Sequence, residues 1–195
     1  MGEKSLQKKK YIVEKAKDVF YKSGYRAVTM KDIVETCNIS RGGLYLYFTN
    51  TKELFEAVLE EERISTASVI ESGKAKNATP GEIMLMFLDE QKKAILKKKD
   101  NLTMAAYEYM FENKILETDN PIKKSFLENV SALENLIKEG VEQEWMVCED
   151  AAEAAKNISY TIEGLKVSAQ TIGVSAEAVD REIEYIMGIL GMVIK

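Results

Sequence analysis

The sequence predicts an all-α protein of about nine helices, with an N-terminal three-helix unit bearing a helix-turn-helix and a C-terminal helical part. Three observations carry this. Only 2 Pro and 11 Gly interrupt 195 residues. Apolar residues recur at helical spacing in segment after segment, and no stretch alternates as a half-buried strand does. Two short capped segments near the N-terminus are separated by a turn of helix-turn-helix length.

The elements follow in order. Leu6 to Ser23 places Ile12, Ala16, Val19 and Phe20 on one stripe, and Gly24 ends it. Thr29 with Asp32 three residues on is a capping-box pattern, opening a short helix that closes at Asn38. Ser40 caps a third segment, Arg41 to Phe48. Asn50 caps a fourth, with Glu53 in the reciprocal position, running to near Ser72. Gly73 to Pro80 reads as a loop, and Pro80 or Gly81 opens a fifth helix through Ile83, Phe87, Gln91 and Ile95. Further helices are expected from Asn101 to Glu117, Pro121 to Trp145, Glu149 to Ile172, and from Ser175 nearly to Lys195. The expected division is 1–50 and 51–195, with the helix over 51–72 as the link.

Composition excludes several chemistries. With no histidine, His-based triads, proton relays and His-ligated metals are out. Cys37 and Cys148 fit no zinc or redox spacing and read as reduced thiols. No nucleophile–base pair or phosphate loop stands out, so neither enzyme, metal site nor cofactor is expected. No segment offers the roughly 18 apolar residues of a membrane span, and the basic start lacks the apolar run of a secretory signal. A cytoplasmic protein is the expectation.

Charge is split along the chain. Residues 1–52 hold 11 Lys+Arg against 5 Asp+Glu, whereas residues 53–195 hold 16 against 27. A basic N-terminal quarter on an acidic body suits one end meeting a polyanion, although a solvated tail at Lys8-Lys9-Lys10 would also contribute.

The stretch from Tyr25 to Leu59 carries the function. Gly42 and Gly43 stand side by side near the start of the second short helix, where each costs about 1 kcal/mol against alanine. Their use is close approach of backbone to a sugar-phosphate or base edge, the bland alternative being a frayed helix start. Tyr45 lies three residues beyond Gly42 on the same face, where its hydroxyl can meet a phosphate while the ring packs on protein. Phe48 reads as a core plug. Lys52 sits in the first turn of the fourth helix, where a cation is unfavourable unless an anion joins it.

Thr29, Asp32 and Ile33, then Ser40-Arg41-Gly42-Gly43-Leu44-Tyr45, Tyr47-Phe48 and Lys52-Glu53-Leu54 together closely resemble the TetR family of bacterial regulators, over about residues 8–60. The chain departs from that pattern at Cys37-Asn38-Ile39, where the family commonly has Ala-Gly-Val; asparagine can adopt the glycine's conformation. The resemblance implies a homodimer whose recognition helices enter successive major grooves of a near-palindromic double-stranded DNA operator. It implies that Thr29, Tyr45, Tyr47 and Lys52 sit on phosphates. Ser40, Arg41, Gly42 and Gly43 would lie against the groove, with Arg41 on guanine or on a further phosphate. Repression, relieved by a small molecule, is the family expectation.

The body matches no motif. Resemblance places a ligand pocket and the dimer interface there. Met104, Tyr107, Glu108, Phe111 and Ile115 share a predicted face, in which a carboxylate is costly unless bonded. Glu108 therefore either meets a ligand or bonds a neighbour, and Gln91, between Phe87 and Ile95, poses the same question. Trp145 lines the pocket or closes the core. For the dimer, Ile158, Ile162, Leu165, Ala169 and Ile172 form one stripe, and Val179, Ile183, Ile186, Met187 and Leu190 a second. Paired by a twofold axis, these would make a four-helix bundle; if they pack within the chain, another surface is needed. A helical adaptor that binds protein is the rival reading, and it leaves Gly42-Gly43, Lys52 and the charge split unexplained.

Overall fold

The computed structural model describes residues 2–62, 66–97, 101–113 and 120–192. In chain order the helices are α1 (Glu3–Ser23), α2 (Met30–Cys37), α3 (Arg41–Tyr45), α4 (Thr51–Glu62), α5 (Thr66–Ala75), α6 (Pro80–Leu96), α7 (Thr103–Asn113), α8 (Pro121–Glu142), α9 (Ala151–Thr171) and α10 (Ala176–Ile189). Among the described residues there is no strand.

The chain forms two compact units: residues 1–63 with 99–119, and residues 64–98 with 120–195. This differs from a cut after residue 50. In the first unit α4 sinks Leu54, Phe55 and Val58 into the same core as Ile12, Ala16, Phe20, Ile33, Leu44 and Phe48. The second difference is α7, which joins that core through Leu102, Ala105 and Tyr109 although it lies some forty residues downstream. Its apolar pattern hid this, because the buried face runs one position away from the predicted stripe: Met104, Tyr107 and Phe111 are exposed. Rings of Phe20, Tyr25, Phe55 and Tyr109 meet at 4.7 to 6.3 Å between centroids, mostly tilted or edge-on, as aromatic quadrupoles prefer.

Local rules explain the first three helices. Helix α1 begins at Glu3, ahead of the expected Leu6; within it Lys8 and Lys10 are exposed and Lys9 is half-buried. It stops at Gly24, whose φ of 74° and ψ of -173° lie in a region essentially reserved for glycine. Thr29 opens α2 with the full capping box: its hydroxyl accepts from the Asp32 N–H, and the Asp32 carboxylate accepts from the Thr29 N–H. Asn38 ends α2 in the left-handed conformation, at φ 50° and ψ 50°. Ser40 caps α3 by accepting from the Gly43 N–H at 3.1 Å. Helix α3 is shorter than expected, ending at Tyr45 rather than Phe48.

The second unit is built from α5, α6, α8, α9 and α10 around Met84, Leu88, Leu133, Ile137, Ile158, Ile162, Ile186 and Leu190. The expected helix from 51 to 72 is seen as α4 and α5; residues 63–65 between them lie outside the described residues. Gly73 belongs to α5 and not to a loop: it is buried, and a Cβ there would come within 2.6 Å of Ile83. Thr79 caps α6 in a second capping box with Glu82, and Pro80 takes the first helical position, where its missing N–H is not needed. Residues 114–119, in the expected end of the helix starting at Asn101, lie outside the described residues.

The two expected dimer stripes are mostly core of this unit. Ile158, Ile162, Val179, Ile186, Met187 and Leu190 are buried within the chain, and Leu165 and Ile183 are half-buried. Ala169 is half-buried too, and Ile172, at the end of the first stripe, is exposed; for the rest, the chain itself supplies the burial that their periodicity calls for.

Gly24→Ala is expected to destabilise the protein by about 1–3 kcal/mol, because alanine cannot hold that backbone conformation without strain. A Cβ there would also lie 2.6 Å from the Glu108 carboxylate. Urea denaturation checks this through a lowered midpoint.

Candidate nucleic-acid interface

Helix α3 has five residues, too few to persist alone. It is held by Leu44, fully buried, and by Phe48 just beyond it, 1% exposed. With those two anchored, Arg41, Gly42 and Tyr45 turn outward. The Arg41 guanidinium carbon sits 5.5 Å from the centre of the Tyr45 ring, a cation–π approach that steadies both.

Arg41, Tyr45 and Thr29 line one concave surface together with Val28, Met30, Lys31, Val34 and Thr51. The two glycines differ. A Cβ on Gly42 would meet nothing within 4 Å, whereas one on Gly43 would stand 3.1 Å from the Ser40 hydroxyl that caps the helix. Nothing in the described chain requires glycine at 42, and its φ is not positive. Close approach from outside and a helix start that tolerates glycine are the two physical reasons for it.

Thr29 is exposed, with its hydroxyl donating to Asp32 at 2.7 Å, and its position is thereby fixed. Tyr47 is half-buried and packs against the core. Lys52 is exposed in the first turn of α4 and lies 3.9 Å from the Glu56 carboxylate. Just before it, Asn50 accepts from the Glu53 N–H at 2.8 Å, and the Glu53 carboxylate accepts from the N–H and hydroxyl of Thr49. Glu53 thus reaches one residue further back than the expected reciprocal cap. Lys9 packs over the Phe48 ring at 5.3 Å and acts on the Glu53 carboxylate, so α1 adds a cation to this corner. Sequence reasoning missed Lys31 and Thr51; the position of Lys31 two residues after Thr29 was the available signal.

Hydrogen bonds from the Thr29 hydroxyl and then its N–H hold the Asp32 carboxyl below its ordinary range. The N–H and hydroxyl of Thr49, with help from Lys9, do the same for Glu53.

The expected ligand residues fall in different units. Met104, Tyr107, Glu108 and Phe111 lie on α7 in the first unit, and Phe87, Gln91 and Trp145 lie in the second. Glu108 is engaged: one oxygen accepts from the N–H groups of Tyr25, at 2.7 Å, and Arg26, at 3.1 Å. Phe87 and Gln91 are buried on α6, at 4% and 8% exposure. Trp145 is half-exposed and covers Gly81 at the start of α6, about 15 Å along the helix axis from Gln91.

A short helix set on a buried anchor, preceded by a capped helix and a left-handed turn, defines a helix-turn-helix protein. Residues 12–58 match the family model described as bacterial regulatory proteins, tetR family. An uncharacterized HTH-type transcriptional regulator of Bacillus subtilis, YfiR, is 29% identical over 137 residues, which cover 68% of this chain and 64% of that relative. The chain thus spans less than two thirds of that relative's length. The HTH-type transcriptional regulator TtgR of Pseudomonas putida is 36% identical over 58 residues, 30% of this chain and 28% of that one. In fold, the chain is similar to the reduced form of Escherichia coli NemR, with a TM-score of 0.77 at 13% identity, covering 94% of this chain and 97% of that one. It is equally similar to a TetR transcription regulator of Haloarcula marismortui, with a TM-score of 0.77 at 16% identity, covering 95% and 97%. Residues 12–58 are thus similar to the DNA-binding segment of the TetR family, and the relatives that the chain matches are named as HTH-type transcriptional regulators. No described helix is long and apolar enough to cross a membrane.

The lowered carboxyls give a pH prediction with a definite sign. Groups whose folded pKa lies below the unfolded value stabilise the fold above the unfolded value, and that contribution is lost as pH falls through the folded one. Stability is therefore expected to decline on the acid side of the ordinary carboxylate range. Asp32→Asn and Glu53→Gln should each shallow that decline, read as the pH dependence of the urea midpoint.

Proposed function

We propose that the protein is a homodimeric repressor that binds a near-palindromic operator and releases it on binding a small molecule. The observation that carries the DNA reading is Gly42: open space where a side chain would fit, set between exposed Arg41 and Tyr45 on a concave face. A glycine that the chain does not need is explained by a duplex that comes close.

In this reading Thr29, Tyr45 and Lys52 take phosphates. Tyr47 does so only through its hydroxyl, since its ring packs on the core. Ser40, Arg41, Gly42 and Gly43 lie along the groove, with Arg41 the candidate for a bidentate guanine contact worth about 1–3 kcal/mol of discrimination. Lys9 and Lys31 add positive charge to the same side.

The twofold surface would lie on the outward faces of α9 and α10, beside the buried stripes. Tyr160 and Tyr185 are exposed there, and Gly164 and Gly188 each have open space that lets helices approach. Of the expected stripes, Leu165, Ala169 and Ile183 stay partly accessible and Ile172 is exposed. For the effector, Phe87 and Gln91 keep their place, as an amide among apolar neighbours on α6. Glu108 is better explained by its bonds to Tyr25 and Arg26 than by a ligand. Release would follow if the effector favours a conformer whose recognition helices are wrongly spaced.

Selection of bound fragments from a genomic DNA library, at low and near-physiological salt, tests the reading. A short palindrome that survives the higher salt supports it, and recovery of nothing by a folded protein contradicts it. Arg41→Ala is expected to relax sequence preference, whereas Lys52→Ala should weaken all sequences alike and shallow the salt slope by about one unit per protomer. Gly42→Ala should keep its urea midpoint yet lose operator affinity; a loss of stability instead would assign that glycine to the fold.

A further inference from the structure

Lys52 does not stand alone on α4. One turn on, Glu56 lies on the same face, and its Oε1 is 3.9 Å from the Lys52 ammonium. That same oxygen accepts a hydrogen bond of 2.5 Å from the Tyr109 hydroxyl. Tyr109 belongs to α7, and its ring is fully buried against Phe55 and Tyr25. Asn113, one turn further along α7, donates to the Tyr25 hydroxyl at 3.1 Å and to the Tyr109 carbonyl at 2.9 Å. The phenol therefore comes from a rigid base, while the carboxylate and the ammonium are half-exposed and able to adjust.

We infer that Tyr109 is a positioning residue for DNA binding: its hydroxyl holds the Glu56 carboxylate off Lys52 and so leaves the ammonium available to a phosphate. The inference rests on the reading of Lys52 as a phosphate ligand.

The physical argument is a competition. A carboxylate four residues beyond a lysine is within reach of it, in the order that pairs less firmly than the reverse; here the separation exceeds a hydrogen bond, as it does for Lys31 and Glu35 at 3.7 Å. The phenol holds the oxygen that lies nearest the ammonium and so sets the direction of the carboxylate, which restrains it from turning onto Lys52. A duplex phosphate offers Lys52 a second anion, and the winner depends on how firmly Glu56 is engaged elsewhere. Burial, then the bond to Glu56, pushes the Tyr109 phenol above its ordinary range, so it stays a proton donor at neutral pH. Glu108 and Arg26 provide the mounting for α7: Glu108 accepts from the Tyr25 and Arg26 N–H groups, and Arg26 pairs with Glu112 at 3.2 Å. A role confined to packing would be served equally by phenylalanine.

The test is binding to a random-sequence duplex of about 30 base pairs, long enough for two half-sites a helical turn apart, followed by fluorescence anisotropy across a salt series. Wild type would be compared with Lys52→Ala, Glu56→Gln, Tyr109→Phe and the Glu56→Gln/Tyr109→Phe double variant. Tyr109→Phe keeps the ring and is expected to weaken binding about three-fold per protomer, with a shallower salt slope, as Lys52 is drawn onto Glu56. Glu56→Gln should tighten binding by a similar factor. On that background Tyr109→Phe should change nothing, because there is no carboxylate left to restrain. An equal loss on both backgrounds would make Tyr109 merely structural and overturn the inference. So would no loss from Tyr109→Phe in a protein that Lys52→Ala does weaken. If Lys52→Ala leaves affinity and slope unchanged, the phosphate reading of Lys52 fails, and the inference falls with it.

Discussion

The presented surface depends on the burial of Leu44 and Phe48. A five-residue helix gains too little from its own hydrogen bonds to survive. Its orientation comes from two side chains sunk among Ile12, Phe20, Ile33 and Phe55, together with the Ser40 cap at its start. Because residues 41, 42 and 45 lie opposite that anchor, burying one face exposes the other. The surface proposed to meet DNA follows from hydrophobic packing, which leaves the identity of the polar residues on it to be set by a partner.

The same core recruits α7 from far along the chain. Tyr109 packs with Tyr25 and Phe55, and Glu108 satisfies two backbone N–H groups in the turn between α1 and α2. Gly24 makes this possible, since any Cβ would meet the Glu108 carboxylate. The turn leading to Thr29 is thus fixed by a residue more than eighty positions away. Chain on both sides of α7 belongs to the other unit.

The helix-turn-helix was legible because its signals are local. Thr29 with Asp32, Asn38 and Ser40 are caps and turns whose chemistry acts within four residues, and each forms as expected. The fold class was legible for the same reason. What was not legible depends on distant partners. The spacing of Ile158, Ile162, Ile186 and Leu190 says that those faces are covered, not whether the cover is the same chain or a second copy. On α7 the stripe was misplaced by one position, because an aromatic face can be counted from Met104 as well as from Ala105. Glu108 looked like an anomaly in an apolar stripe, and its partners, two backbone N–H groups, carry no sequence signature. Lys8, Lys9 and Lys10 read as a tail because a run of like charge weakens a helix unless, as with Lys9 over Phe48, the core offers it a place.

The most direct measurement of the central claim is the amide spectrum of the protein titrated with its selected operator. The account predicts that the largest shifts fall on Thr29, on Arg41 to Tyr45 and on Lys52, with the Gly42 and Gly43 signals among the most displaced. Shifts concentrated on α8 to α10, with the Gly42 and Gly43 signals unmoved, would contradict it.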